Sequence, residues 1–301
     1  MRRAPHISGS GNLTGVCCDG AVTENNADPV VLRSVAERLA TEAADFVRRR
    51  RDEVFGDLQP NAGSAARAVR SKSTPTDPVT VVDTETERLL RVRLAELRPG
   101  EHILGEEEGG STGGDGLTWV LDPIDGTVNF VYGIETYAVS VAVQRDGVSL
   151  AGAVANVPTG AVYSAALGHG ASVQRAGVAT PLRVGSAVEL SMSLVGTGFS
   201  YAPEQRIRQA EILTRLLPVV RDVRRMGSAA LDLCMVAAGW LDAYYEDGVH
   251  VWDWAAGALI AAEAGARLRL PPADGGAGLI VAAAPGVAGA LADALRHSGA
   301  L

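Results

Sequence analysis

Hydrophobic and polar positions change rhythm three times along this chain, and each change marks a different kind of element. The first rhythm runs through "ADPVVLRSVAERLATEAADFVRRRR", where Val31, Val35, Leu39 and Phe46 share one helical face. Asp28 is placed to cap that helix, and Pro29 suits its first position. Arg48 to Arg51 then fall near the expected helix C-terminus, where positive charge is favourable. "GDLQPNAGSAARAVRSKSTPTDP" has no period and reads as a loop, and "TETERLLRVRLAEL" predicts a second helix. From His102 the rhythm shortens. "HILGEEE" and "LTWVLDP" are apolar runs that end in acids. "TYAVSVAVQRDGVSLAGAVANVPTGAVYSAAL" alternates, with Asp146-Gly147 and Pro158-Thr159-Gly160 as turns, which predicts an antiparallel meander. After about Ser186 strand-like and helix-like segments alternate to the end, as in a mixed α/β sheet. The expected organisation is a flexible tail over 1-27, an N-terminal α+β half over 28-185 and a C-terminal α/β half over 186-301.

Composition changes this picture only by exclusion. A formal net charge of -8 argues against a protein that binds nucleic acid through phosphate contacts, which needs a basic face, whereas acidic clusters suit divalent cations. The three cysteines are an odd number without metal-ligand spacing, so neither a disulfide framework nor a zinc site is expected. The N-terminus has no apolar signal region, and no run of about 18 apolar residues occurs. A cytoplasmic protein without membrane contact is the expectation.

Candidate chemistry gathers in four acidic segments: Asp83 in "VTVVDTETE", Glu106 to Glu108 in "GEEEGG", Asp122 and Asp125 in "LDPIDGTVNF", and Asp253 in "VWDWAAG". Each follows a strand-like run or opens a helix, which is where layered folds collect site residues. Each also has an ordinary structural explanation. Asp-Pro and Asp-Gly are turn dipeptides, Asp83 and Asp253 suit helix caps, and a triple glutamate suits a solvated surface. The functional alternative is that Asp122, Asp125 and the Ile124 carbonyl face one Mg²⁺ ion. Gly126 would then admit a phosphate, and Thr127 would open a short helix whose N–H groups suit an anion.

The occurrence of all four segments in this order resembles the inositol monophosphatase family. "GEE", "WVLDPIDGTVNF" and "LDAYYEDGVHVWDWAAG" carry the resemblance, supported by "KSTPTDPVTVVDTETE" and "RRMGSAALDLCMVAAG", and it extends over nearly the whole chain from Asp28. It implies a layered α/β/α/β/α sandwich of the sugar-phosphatase type that hydrolyses phosphate monoesters with two to three Mg²⁺ ions, is sensitive to lithium, and forms a homodimer. By similarity, Glu106, Asp122 and the Ile124 carbonyl hold one ion. Asp122, Asp125 and Asp253 hold a second, and a weaker third lies near Glu106. Thr127 and Asp83, assisted by Glu106, orient the attacking water. Gly126 and Thr127 hold the phosphate, Lys72 matches a lysine near the metal loop, and Asp125, Ala229 and Glu246 match positions that contact sugar hydroxyls. The metal residue Asp253 also borders the substrate. Three consecutive glutamates leave the register of Glu106 against Glu107 open. Inositol 1-phosphate is the expected substrate, with histidinol phosphate or another small sugar or nucleotide phosphate as the enzymatic alternative. A transcription-associated regulatory role is the alternative from another class.

Overall fold

Alanines and larger apolar residues together form the buried face of the first helix. In the computed structural model, which describes residues 27–56, 69–71, 78–110, 116–271 and 276–301, α1 spans Pro29–Phe55. Asp28 caps it as expected, its Oδ1 accepting from the Val30 amide at 2.8 Å. The buried stripe, however, is Leu32, Ala36, Leu39, Ala40, Ala43 and Val47, while Val31 is exposed and Val35 and Phe46 are half-buried. The larger residues mislead because alanines let the helix axis approach the underlying sheet closely. The helix also runs past the arginine cluster to Phe55, so those arginines do not complement a helix end. They act as tethers. Arg48 Nη2 donates to the Val157 carbonyl at 2.7 Å, Arg50 Nε pairs with Glu85 at 2.8 Å, and Arg51 Nε donates to the Phe130 carbonyl at 3.1 Å.

Within the segment expected to be a loop, β1 (Val69–Ser71) pairs antiparallel with β2 (Pro78–Thr80). Lys72 and residues 1–26 of the expected tail lie outside the described residues. α2 (Val81–Leu97) follows and packs beside α1.

An eight-stranded sheet then forms from β3 (His102–Gly105), β4 (Gly109–Gly110), β5 (Thr118–Asp125), β6 (Ala138–Arg145), β7 (Val148–Asn156), β8 (Val162–Ala166), β9 (Ala171–Arg175) and β10 (Val178–Pro181). Its order is β10-β9-β8-β7-β6-β5-β3-β4, antiparallel except for β3 beside β5. The predicted meander is present, and Asp146 and Gly147 turn between β6 and β7 with φ of 51° and 75°. The sheet is buried on both faces, which explains the near-continuous apolar runs. Trp119, Leu121, Val139 and Val141 face α1 and α2, while Val120, Ala138 and Ala142 face the opposite way.

The short α3 (Thr127–Tyr132) leaves the end of β5. The second sheet has five strands: β11 (Leu194–Thr197), β12 (Asp222–Arg224), β13 (Ala243–Val249), β14 (Arg267–Arg269) and β15 (Gly278–Ala283), ordered β12-β11-β13-β15-β14. α4 (Pro203–Leu216) and α7 (Ala288–Ser298) cover its outer face through Ile212, Leu216, Leu291 and Leu295. Between the two sheets lie α5 (Ala229–Ala237) and α6 (Val251–Glu263). Helix α6 rests almost on the backbone of β7, because a Cβ on Gly152 would stand 2.9 Å from Ala256 Cα. The result is the five-layer α/β/α/β/α sandwich. Among the described residues, no helix is long and apolar enough to cross a membrane.

Candidate active site

One extra residue in β5 sets the geometry of the site. In a regular strand, residues three apart point to opposite faces. Here Asp122 pairs with Ser140 but Asp125 pairs with Ala138, so three steps on β5 match two on β6. This irregularity falls at Pro123–Ile124, and a proline tolerates such a position because it has no amide proton to contribute to the ladder. The inserted residue restores the phase, and both aspartates line one cleft of about 430 Å³. A second register shift between Asp247 and Val249 bends the end of β13 at Gly248, on another wall of the same cleft. Glu106, Ile124, Gly126, Thr127, Ala229, Glu246 and Asp253 line it too. Asp83 does not; it lies fully buried behind Thr127.

Each acid is held by its own neighbours. Asp122 Oδ1 accepts from the Ile124 amide at 3.0 Å, closing the turn on itself. Asp125 Oδ2 accepts from Ser228 Oγ and the Ala230 amide, both at 2.7 Å, so the start of α5 fixes its direction. Asp253 Oδ2 accepts from the His250 amide at 2.6 Å as the third residue of α6. The capping role therefore exists and coexists with a place in the cleft. Asp83 shows the same duality. Its Oδ2 accepts from the Thr80 amide at 2.9 Å and from the Thr80 hydroxyl, and its Oδ1 lies 3.2 Å from Thr127 Oγ1. Among the described residues these side chains do not form a ready-made cage of three acidic ligands. They ring the cleft floor from separate anchors.

In the acidic loop Glu106 lines the cleft, while Glu108 turns out to a 2.7 Å ion pair with Arg88. The amides of Glu107 and Glu108 donate to the buried Glu87 carboxylate at 2.7 and 3.0 Å, and Arg91 neutralises Glu87 at 2.8 Å. A Cβ on Gly105 would collide with that carboxylate at 2.1 Å. Glu87 escaped sequence reasoning because a Glu and an Arg four apart on a helix look like a surface pair. Ser228 was missed as well, since its link to Asp125 spans 103 residues.

Helix α3 starts at Gly126, whose left-handed φ of 97° turns the chain into the helix, and no side chain caps its first turn. A Cβ there would stand 3.0 Å from the Gly227 and Thr136 carbonyl oxygens. Asn129 ties this corner together by donating to the Thr136 and Met226 carbonyls at 2.7 and 2.8 Å. Across the cleft, Glu246 Oε2 accepts from the Tyr244 hydroxyl at 2.6 Å. Its carboxylate occupies the space where a Cβ of Gly198 would be. His250 lines the cleft and stacks on Trp252 with ring centroids 4.8 Å apart.

Crowding these acids has an electrostatic cost. Burial pushes the Asp125 carboxyl up to about 7, with Glu246 and Glu106 adding repulsion to the opposing bonds from Ser228 and Ala230. Burial likewise raises Asp253 well above the usual carboxylate range, with Glu106 and Asp125 adding to it. A carboxyl whose folded pKa is raised binds its proton more tightly in the folded state, so its contribution is present below the ordinary 3.8 and is lost as pH rises through about 7. In chelator, wild type should therefore lose several degrees of melting temperature relative to Asp125→Asn across that window. Thermal melts at stepped pH measure this, and parallel curves for the two proteins would contradict it. Added divalent cation should remove the difference in slope.

The model of the inositol monophosphatase family matches residues 28–299. An inositol-1-monophosphatase from Mycobacterium leprae is 64% identical over 92% of this chain and 97% of its own length. A protein from Pasteurella multocida named Nus factor SuhB is 36% identical over 77% of this chain and 82% of its own. The solved structure of Mycobacterium tuberculosis SuhB superposes with a TM-score of 0.78 at 56% identity, covering 91% of this chain and 99% of that one. With the motifs, the five-layer architecture and these matches in agreement, the chain belongs to the inositol monophosphatase family.

Proposed function

We propose that the protein is a Mg²⁺-dependent phosphate monoester hydrolase with inositol 1-phosphate as its preferred substrate. The observation that carries this reading is the bulged end of β5, which turns Asp122 and Asp125 toward one cleft with Glu106 and Asp253. The donor set fits a hard cation, because every candidate ligand is an oxygen and the buried acids repel one another without positive charge between them. In this reading Glu106, Asp122 and the Ile124 carbonyl hold one ion, Asp122, Asp125 and Asp253 hold a second, and Glu106 borders a weaker third. Bound Mg²⁺ would supply positive charge to the phosphate and acidify water at the site.

The chain's own residues then do the positioning. Backbone N–H groups of Gly126 and Thr127 receive phosphate oxygens at the uncapped start of α3. Thr127 has one hydroxyl proton, and Asp83 and the Ile124 carbonyl are both within reach to accept it. Donating inward leaves the Thr127 oxygen to accept from a water, which aims that water's lone pair at phosphorus. Glu106 assists from the cleft side. No protein nucleophile is required.

On the alcohol side, Glu246 accepts hydrogen bonds from ring hydroxyls, Asp125 adds a further acceptor, and Ala229 leaves room for the ring. Glu246→Gln is expected to lower kcat/KM for inositol 1-phosphate by about 10- to 100-fold, the equivalent of one hydrogen bond to a charged group. Glycerol 2-phosphate should suffer much less, and equal losses on both substrates would remove Glu246 from the alcohol subsite. The functional test is phosphate release from inositol 1-phosphate, histidinol phosphate and glycerol 2-phosphate, with and without Mg²⁺. Faster release from histidinol phosphate would overturn the substrate assignment alone. Lithium inhibition, a homodimer and a cytoplasmic location belong to the same reading and are checked by inhibition curves, sedimentation and fractionation. The similarity to Nus factor SuhB supports a second reading, association with transcription proteins, which a pull-down from the native host tests.

A further inference from the structure

Most arginines that frame the fold are paired, but the guanidinium of Arg225 makes no ion pair or hydrogen bond among the described residues. It is exposed in the loop between β12 and α5 and lines the cleft, where it is the only Lys or Arg among the described lining residues. Its seat is built. Gly227 has a φ of +88°, and a Cβ there would stand 2.5 Å from Arg225 Nη1. The guanidinium therefore folds back over a glycine that leaves space for it. The Gly227 carbonyl in turn abuts Gly126, so Arg225 sits over the Gly126 corner of the cleft, within electrostatic reach of Glu246.

Its charge reaches the alcohol end. Burial raises the Glu246 carboxyl, and the Tyr244 hydroxyl and the Arg225 charge oppose that rise. Without Arg225, the Glu246 carboxylate would face the alcohol with no side-chain cation among the described lining residues and would attract a positively charged one.

We propose that Arg225 is a specificity-determining residue, selecting neutral polyhydroxyl alcohols over alcohols that carry an ammonium group. The inference deepens the reading above, in which Glu246 faces the alcohol. Arg225 offers donors to hydroxyl oxygens, which a polyol supplies and can share with Glu246. An ammonium group meets like charge at the same place and loses affinity accordingly.

The test uses the full chain loaded with Mg²⁺ and inorganic phosphate, titrated calorimetrically with free inositol and with free histidinol. Wild type, Arg225→Met and Arg225→Lys are compared. The ratio of inositol to histidinol affinity should fall about 10-fold in Arg225→Met, the size expected for removing one charge several ångströms away in a partly solvated cleft. Arg225→Lys, which keeps the charge, should stay within about 3-fold of wild type on the same scale. An unchanged ratio in Arg225→Met, or equal weakening toward both alcohols, would overturn the proposal. So would a Lys variant that behaves like the Met variant. Binding needs no turnover, so a chain that releases no phosphate would refute the hydrolase reading and leave the Arg225 assignment to be decided by the titrations.

Discussion

Asp122→Asn is expected to abolish Mg²⁺-dependent phosphate release, with kcat/KM reduced on the order of 10³-fold or more, while the protein remains folded. The fold should survive because the carboxamide oxygen can still accept from the Ile124 amide, the bond that closes the turn. Asn is also nearly isosteric, and Asp122 is buried at 1% exposure, so no cavity opens. Activity should not survive, because in the proposed site Asp122 alone is shared by both principal ions and an amide supplies no negative charge. The same substitution removes one carboxylate from a repelling cluster, so the melting temperature in chelator should equal or exceed that of wild type. Phosphate release and a thermal melt on one preparation decide it. Near-normal turnover with Mg²⁺ would remove Asp122 from the metal site.

Thr127→Ala should lower kcat by about 10²- to 10⁴-fold, the range typical for a group that positions or relays a proton, while KM changes little. The phosphate contacts assigned to residue 127 come from its backbone, which alanine keeps. Alanine is also a good helix former at the start of α3. Asp83 would lose one partner but keep the Thr80 amide and hydroxyl, so stability should fall by only about 1 kcal/mol. Thr127→Ser restores the hydroxyl and should recover most of kcat. Steady-state kinetics on the three proteins make the comparison. A loss carried mainly by KM would mean that the hydroxyl binds substrate instead of aiming water.

Much of the site was legible because its signals are local. A proline between two acids, a glycine able to adopt positive φ, and an acid in the first turn of a helix are decided by near neighbours, and "DPIDG" and "VWDW" announce them. Turns such as Asp146-Gly147 were legible for the same reason. The face of α1 was not. Of the expected stripe Val31, Val35, Leu39 and Phe46, only Leu39 is fully buried; the face turned to β6 and β7 is instead Leu32, Val47 and a run of alanines. The arginine run likewise resembled a helix end, and only the arrival of Val157, Phe130 and Glu85 from other elements turned it into a set of tethers.

The sequence by itself determined which residues are acidic, where strands end and helices begin, and the order in which the four acidic segments occur. Only the tertiary structure decided that Asp122 and Asp125 share a face, because that depends on β6 offering two residues against three. Tertiary contacts also held the Glu107 and Glu108 amides on Glu87 beneath the loop, leaving Glu106 to line the cleft, and aimed Asp125 through Ser228. They also left Arg225 without an ion pair among the described residues, its charge acting on Glu246 across the cleft. The physical reason is common to all four. Backbone propensity acts over a few residues, whereas the direction of a buried polar side chain is set by whichever distant donor satisfies it.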